Sequence, residues 1–137
     1  MSHVNIQNAL HQYSQTAVET SINTASPHRL VQMLMEGVQD KIRIARLQME
    51  RKELGEKAKS ITCAISIVDG LRMSLDKEAG GDIAQNLDDI YDYMVRRLID
   101  ANLSNEPEIL DEVMALMHQI KEAWDTIANV ESTGVTT

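Results

Sequence analysis

Four runs of apolar residues, each recurring at three- or four-residue intervals, dominate the chain from Pro27 to Val130. At 100° per residue such spacing gathers the apolar side chains on one helical face, and it does not match the two-residue alternation of a half-buried strand. The first run is Val31, Leu34, Met35, Val38, Ile42, Ala45 and Met49, and it opens at Ser26-Pro27. A serine oxygen can cap free N–H groups there, and proline suits the first helical position. Composition agrees: aromatics are 3% of 137 residues, Phe is absent and Met occurs eight times. Sandwiches and barrels draw on aromatic and β-branched residues, so an aliphatic, sulfur-rich helical core is expected instead.

The first run reaches about Arg51, and a polar break over residues 52–56 containing Gly55 separates it from Ala58, Ile61, Ile65, Val68, Leu71 and Leu75. The second run is expected to end at Gly80-Gly81, where glycine permits a left-handed turn. The third starts near Asp82 and buries Ile83, Leu87, Ile90, Tyr91, Met94, Leu98 and Ala101. Ser104 to Glu108 closes it and opens the fourth, with Asn105 and Glu108 at capping-box spacing. The fourth run is Leu110, Val113, Met117, Ile120, Trp124 and Ile127. Connections this short force neighbours to run antiparallel. The expected fold is all-α, an antiparallel up-down-up-down four-helix bundle over residues 26–130.

Residues 1–25 behave differently. Ile6, Ala9, Leu10, Tyr13 and Ala17 form a narrow apolar stripe opposite a Gln- and Asn-rich face, and Ser21 to Ser26, with Ile22 inside, reads as a linker. A helix this short is marginal alone in water. Two readings stand: an amphipathic helical arm that docks on the bundle, or a permanently packed fifth helix. Residues 131–137 are polar and aperiodic and are expected to form a disordered tail.

The sequence offers little chemistry. His3, His11, His28 and His118 include no pair at ligand spacing, and no Glu-x-x-His motif occurs, so no metal site is expected. Cys63 has no Cys-x-x-Cys partner, and Gly80-Gly81-Asp82 lacks the lysine of a phosphate loop. Asp88, Asp89 and Asp92 read as a solvated acidic face. No enzyme, cofactor or catalytic residue is expected. The net charge of −8 removes the electrostatic footprint of a nucleic-acid binder. The charge is uneven: residues 27–59 hold eight basic and five acidic side chains, and residues 60–137 hold five and fifteen. A single cysteine, no signal-peptide pattern and no apolar run near 20 residues lead to the expectation of a cytoplasmic protein without membrane insertion.

Several large apolar residues remain after the stripes are assigned. They are Met33, Ile44 and Leu47 on the first helix, Ile67 and Met73 on the second, Tyr93 and Ile99 on the third, and Met114 on the fourth. Either the core faces are wide and the rest are scattered surface residues, or a groove for an amphipathic partner runs along the bundle. In the second reading Leu30, Met33, Ile44, Leu47, Ile67, Met73 and Tyr93 are groove candidates, with Leu10, Tyr13 and Ile22 contributed by the arm and linker. Ser26, Pro27, Gly80, Gly81 and Trp124 are the structural candidates.

Ala25 to Gly37 (ASPHRLVQMLMEG) resembles the opening of the first long helix of the FliS family of flagellar secretion chaperones. Leu75 to Leu87 is similar to that family's central glycine turn, Ile90 to Asn102 to the motif that follows, and Glu122-Ala123-Trp124 to the end of its last helix. Tyr13 stands where the family carries an N-terminal tyrosine. Met35 departs from the pattern, because many relatives are expected to have an aromatic there.

The resemblance covers residues 9–128, and four motifs in the right order make it specific. It implies a cytoplasmic export chaperone that binds the disordered C-terminal segment of flagellin. Such a chaperone prevents premature polymerisation and keeps its client competent for flagellar type III secretion. The groove candidates then become flagellin contacts. Other flagellar export or regulatory proteins are further expected partners, with a monomer or weak homodimer as the expected assembly. The rival expectations are a flagellar regulatory or adaptor protein with another helical partner, a carboxylate-rich enzyme or metal carrier, and a permanent homo-oligomer.

Overall fold

The structure, a computed structural model, describes residues 25–130. Four helices account for nearly all of them: α1 Pro27–Glu50, α2 Leu54–Met73, α3 Lys77–Ser104 and α4 Pro107–Val130. There are no strands among the described residues. The helices pack as a ring, α1 against α2 and α4, and α3 against α2 and α4. The fold is an all-helical four-helix bundle.

Local chemistry explains each boundary. Ser26 is extended, and its hydroxyl accepts from the Arg29 N–H at 3.1 Å, with Pro27 opening α1. The α1–α2 turn is made by Lys52, at φ 59°, rather than by the glycine in the polar break. Gly55 instead lies in the first turn of α2. The second helix also stops earlier than its stripe predicts, at Met73, where the Ser74 hydroxyl donates back to the Leu71 carbonyl at 2.7 Å.

α3 therefore begins at Lys77 instead of Asp82, with Asp76 accepting from the Ala79 N–H at 3.1 Å. The helix is broken at Gly81, whose φ of 53° and ψ of −126° suit only a residue without Cβ. Gly80 is needed for space, because a Cβ there would sit 2.8 Å from the Ala84 Cβ. Asn105 does not open α4 as a capping box. It closes α3 in the left-handed conformation and donates its N–H to the Ala101 carbonyl at 2.9 Å.

The core is built from the predicted stripes: Leu34, Val38 and Ile42 of α1, Ile61, Val68 and Leu71 of α2, Met94 and Leu98 of α3, and Leu110, Val113 and Met117 of α4. Burying one such side chain contributes about 1.5–3 kcal/mol. Two residues left over from the stripes are also core. Ile67 is fully buried and Met33 is 4% exposed, because α2 and α1 each touch two neighbours and so bury a face wider than one stripe.

Polar pairs mark the seams. Lys57 reaches Asn102 and Arg72 reaches Asp88, so α2 and α3 run in opposite directions. Gln32 with Asp125 and Arg46 with Asp111 show the same for α1 and α4. The start of α1, the end of α2, the start of α3 and the end of α4 therefore share one end of the bundle.

Candidate functional site

At that shared end the bundle opens into an apolar cleft of about 670 Å³, within the ~300–1,000 Å³ range of ordinary binding sites. α1 contributes Val31 and Met35, and the connection after α2 contributes Leu75 and Asp76. Ile83, Leu87 and Tyr91 come from α3, and Ile120, Trp124 and Ile127 from α4. The cause lies in helix lengths. α2 has 20 residues against 24 for α1, 28 for α3 and 24 for α4. The apolar stripes of α3 and α4 continue past the level at which α2 ends at Met73. There no fourth helix among the described residues covers them, and Ile83 is 74% and Ile127 45% exposed.

Deeper in, the cleft meets the core at Met35 and Tyr91, both buried. Burial pushes the Tyr91 phenol well above its ordinary value, so it remains a neutral hydroxyl. Trp124 forms part of the α4 wall. Its indole stacks on the His28 imidazole, with centroids 4.4 Å apart, and donates its N–H to the His28 carbonyl at 3.1 Å. The His28 Nε2 is buried and has no hydrogen-bond partner among the described residues.

Ion pairs brace the walls. Lys121 bonds Asp125 at 2.8 Å and lies 3.7 Å from Glu36, which Arg29 also binds at 3.1 Å. The Lys121 ammonium, helped by the Gln32 amide, holds the Asp125 carboxyl below the usual carboxylate range. Across the bundle Arg72 and Lys77 converge on Asp88 at 2.9 and 3.2 Å and depress it in the same way. The acidic face of α3 is thus partnered: Arg72 and Arg96 also meet Asp92, and Gln85 donates to Asp89. Among the described residues no group of three or more His, Cys, Asp or Glu side chains is placed to hold a metal ion. No described helix is long and apolar enough to cross a membrane. The arrangement suits burial of an apolar partner face.

The groove candidates that fall among the described residues are not brought together, and none of these lines the cleft. Met33 and Ile67 lie in the core and Leu30 is half-buried. Ile44 and Leu47 are exposed on α1, and Met73 is exposed at the end of α2. Tyr93 faces α4, donating its hydroxyl to Glu112 at 2.6 Å beside Arg97. Leu10, Tyr13 and Ile22 lie outside the described residues. The residues that do line it include Leu75, Ile83, Leu87, Ile120, Trp124 and Ile127, all of which belong to apolar stripes whose spacing predicts core. Run length gave no warning, since the second run, Ala58 to Leu75, is as long as the fourth, Leu110 to Ile127, and α2 stops inside its run at Met73.

Residues 8–131 match the model of the family described as flagellar protein FliS. The chain is 46% identical to the flagellar secretion chaperone FliSB of Pseudomonas aeruginosa over 121 residues, covering 88% of this chain and 96% of that protein. It is 44% identical to the flagellar secretion chaperone FliS of Salmonella typhimurium over 117 residues, covering 85% of this chain and 87% of that one. For the FliS of Vibrio cholerae the identity is 38% over 122 residues, covering 89% and 90%. With the family model spanning the whole helical region and the relatives aligned over most of their length, the chain belongs to the FliS family of flagellar proteins.

Proposed function

We propose that this protein is a cytoplasmic export chaperone that binds the disordered C-terminal segment of flagellin, prevents its premature polymerisation and keeps it ready for flagellar secretion. The observation that carries the reading is the apolar cleft left where α2 ends, in a chain whose relatives are named flagellar secretion chaperones. A segment destined for a filament core must be amphipathic, and as a monomer it exposes an apolar face that self-associates. The cleft covers such a face while the segment becomes helical. Ordering the segment typically costs ~2–5 kcal/mol of the gross interaction energy, so a wrapped, extended interface is required. Release needs no nucleotide where filament assembly offers better burial.

The same reading gives residues 1–25 a role. In sequence they precede α1, whose first residue, Pro27, is next to the His28 that stacks on Trp124 in the cleft wall. A docked arm shields apolar surface in the client-free state and lowers client affinity by the fraction of molecules it closes. Titrating the full chain with a synthetic flagellin C-terminal segment tests the proposal. Helicity should rise by circular dichroism, and the emission of Trp124, the single tryptophan, should change. Equal binding by flagellin lacking that segment overturns it.

A further inference from the structure

The segment that supplies one wall of the cleft is strongly acidic. Between Arg72 and Asp89, across the connection and the first turns of α3, two cations stand among five carboxylates. Both cations are committed, Arg72 to Asp88 and Asp92 and Lys77 to Asp88. Asp76 lines the cleft itself. Glu78 and Asp82 adjoin the lining residues Ala79 and Ile83, and both are exposed. Neither has an ion-pair partner among the described residues. On the α4 wall Lys121 is held by Asp125 and Glu36. The described lining residues include no Lys or Arg.

We infer that the cleft takes an amphipathic helix from a partner protein that carries Lys or Arg along the edge lying against Asp76, Glu78 and Asp82. The inference rests on the client-binding reading above and adds the charge of the bound segment. An apolar face with anchors at i, i+3 or i+4, and i+7 fills such a groove. The unpaired carboxylates beside it attract a basic flank and repel an acidic one. Two other occupants match poorly. Residues 1–24 of this chain contain no Lys or Arg, so as the client-free occupant proposed above they leave the acidic edge without a basic partner, and a basic client displaces them. A second copy would bring its own net charge of −8 against the same sign.

The test uses the full-length protein and two synthetic amphipathic helices with one shared Leu/Ala face, flanked in one peptide by Lys and in the other by Glu. Binding is read by Trp124 emission. At low salt the Lys peptide should bind about tenfold more tightly, as two or three rim ion pairs provide. The gap should narrow as ionic strength rises. A Glu78→Gln/Asp82→Asn variant should shrink the preference, and Glu78→Lys/Asp82→Lys should reverse it, with circular dichroism confirming that each is folded. Equal affinities, or a preference that survives the reversal, overturn the inference. Deletion of residues 1–24 should tighten both peptides and keep the preference for Lys; tightening with the preference lost overturns the inference. If the flagellin segment still perturbs Trp124 while charge preference is absent, only this inference falls. If neither peptide nor the flagellin segment perturbs Trp124, the client reading of the cleft falls with it.

Discussion

The ammonium of Lys57, 3% exposed, donates to both the backbone carbonyl and the side-chain oxygen of Asn102, at 2.9 and 2.8 Å. The first turn of α2 thereby closes the last turn of α3, supplying a cation where the helix leaves carbonyls without intrahelical donors. Burial lowers the Lys57 pKa from its ordinary 10.5. The unfolded chain therefore binds this proton more tightly than the folded one. The burial penalty is full below the folded pKa and is relieved as pH rises from there toward 10.5. In urea melts the stability difference between the wild type and Lys57→Met should move in favour of the wild type over that alkaline window. Lys57→Ala should cost about 2–4 kcal/mol, since it leaves a cavity and unpaired oxygens.

Trp124 should serve both stability and binding. Its ring is half-buried, so Trp124→Ala is expected to cost less than the ~3–5 kcal/mol of a fully buried aromatic. Trp124→Phe keeps a ring against His28 and loses the bond to its carbonyl, for about 0.5–1.5 kcal/mol. Thermal melts and flagellin titrations on the same variants check both effects. Client affinity should fall more for Ala than the melting temperature alone explains.

Two glycines should respond oppositely to Ala. Gly81→Ala forces a side chain into a positive-φ conformation and should cost about 1–3 kcal/mol. Gly55 lies in α2 with nothing within 4 Å of a new Cβ. Gly55→Ala should therefore be neutral or stabilising by up to about 1 kcal/mol. Denaturant midpoints of the two variants decide the matter.

Asp88 should set part of the acid limit. Arg72 and Lys77 hold its folded pKa below the ordinary 3.8. Its contribution is present above 3.8 and is lost as pH falls through the folded value. Asp88→Asn should lose about 1 kcal/mol at neutral pH, as expected for a partly exposed network. The variant should then converge with the wild type at the acid end of a pH series of thermal melts.

The helical stripes are legible in the sequence because burial on one face imposes a 3.6-residue period, and Leu34, Ile61, Met94 and Val113 obey it. The turns are less legible. Lys52 and Asn105 adopt left-handed conformations that glycine would have advertised, and the geometry of the neighbouring helices holds them there. Ile44 and Ile67 both fall off their stripes, yet one is exposed and the other buried. Both helices touch two neighbours, so the difference depends on which flank of each stripe the second neighbour covers, which periodicity along one chain does not encode.

Sequence alone was enough to determine the helical class, the four apolar runs and the resemblance to FliS, because each is carried by residues near one another in the chain. Tertiary structure decided where the site lies. Ile83 and Ile127 belong to core stripes by spacing, and they line an open cleft because α2 stops at Met73 while α3 and α4 continue. A stripe reports which face of a helix seeks burial. Whether that burial is met depends on how far the opposite helix extends, a relation between segments that are distant in sequence.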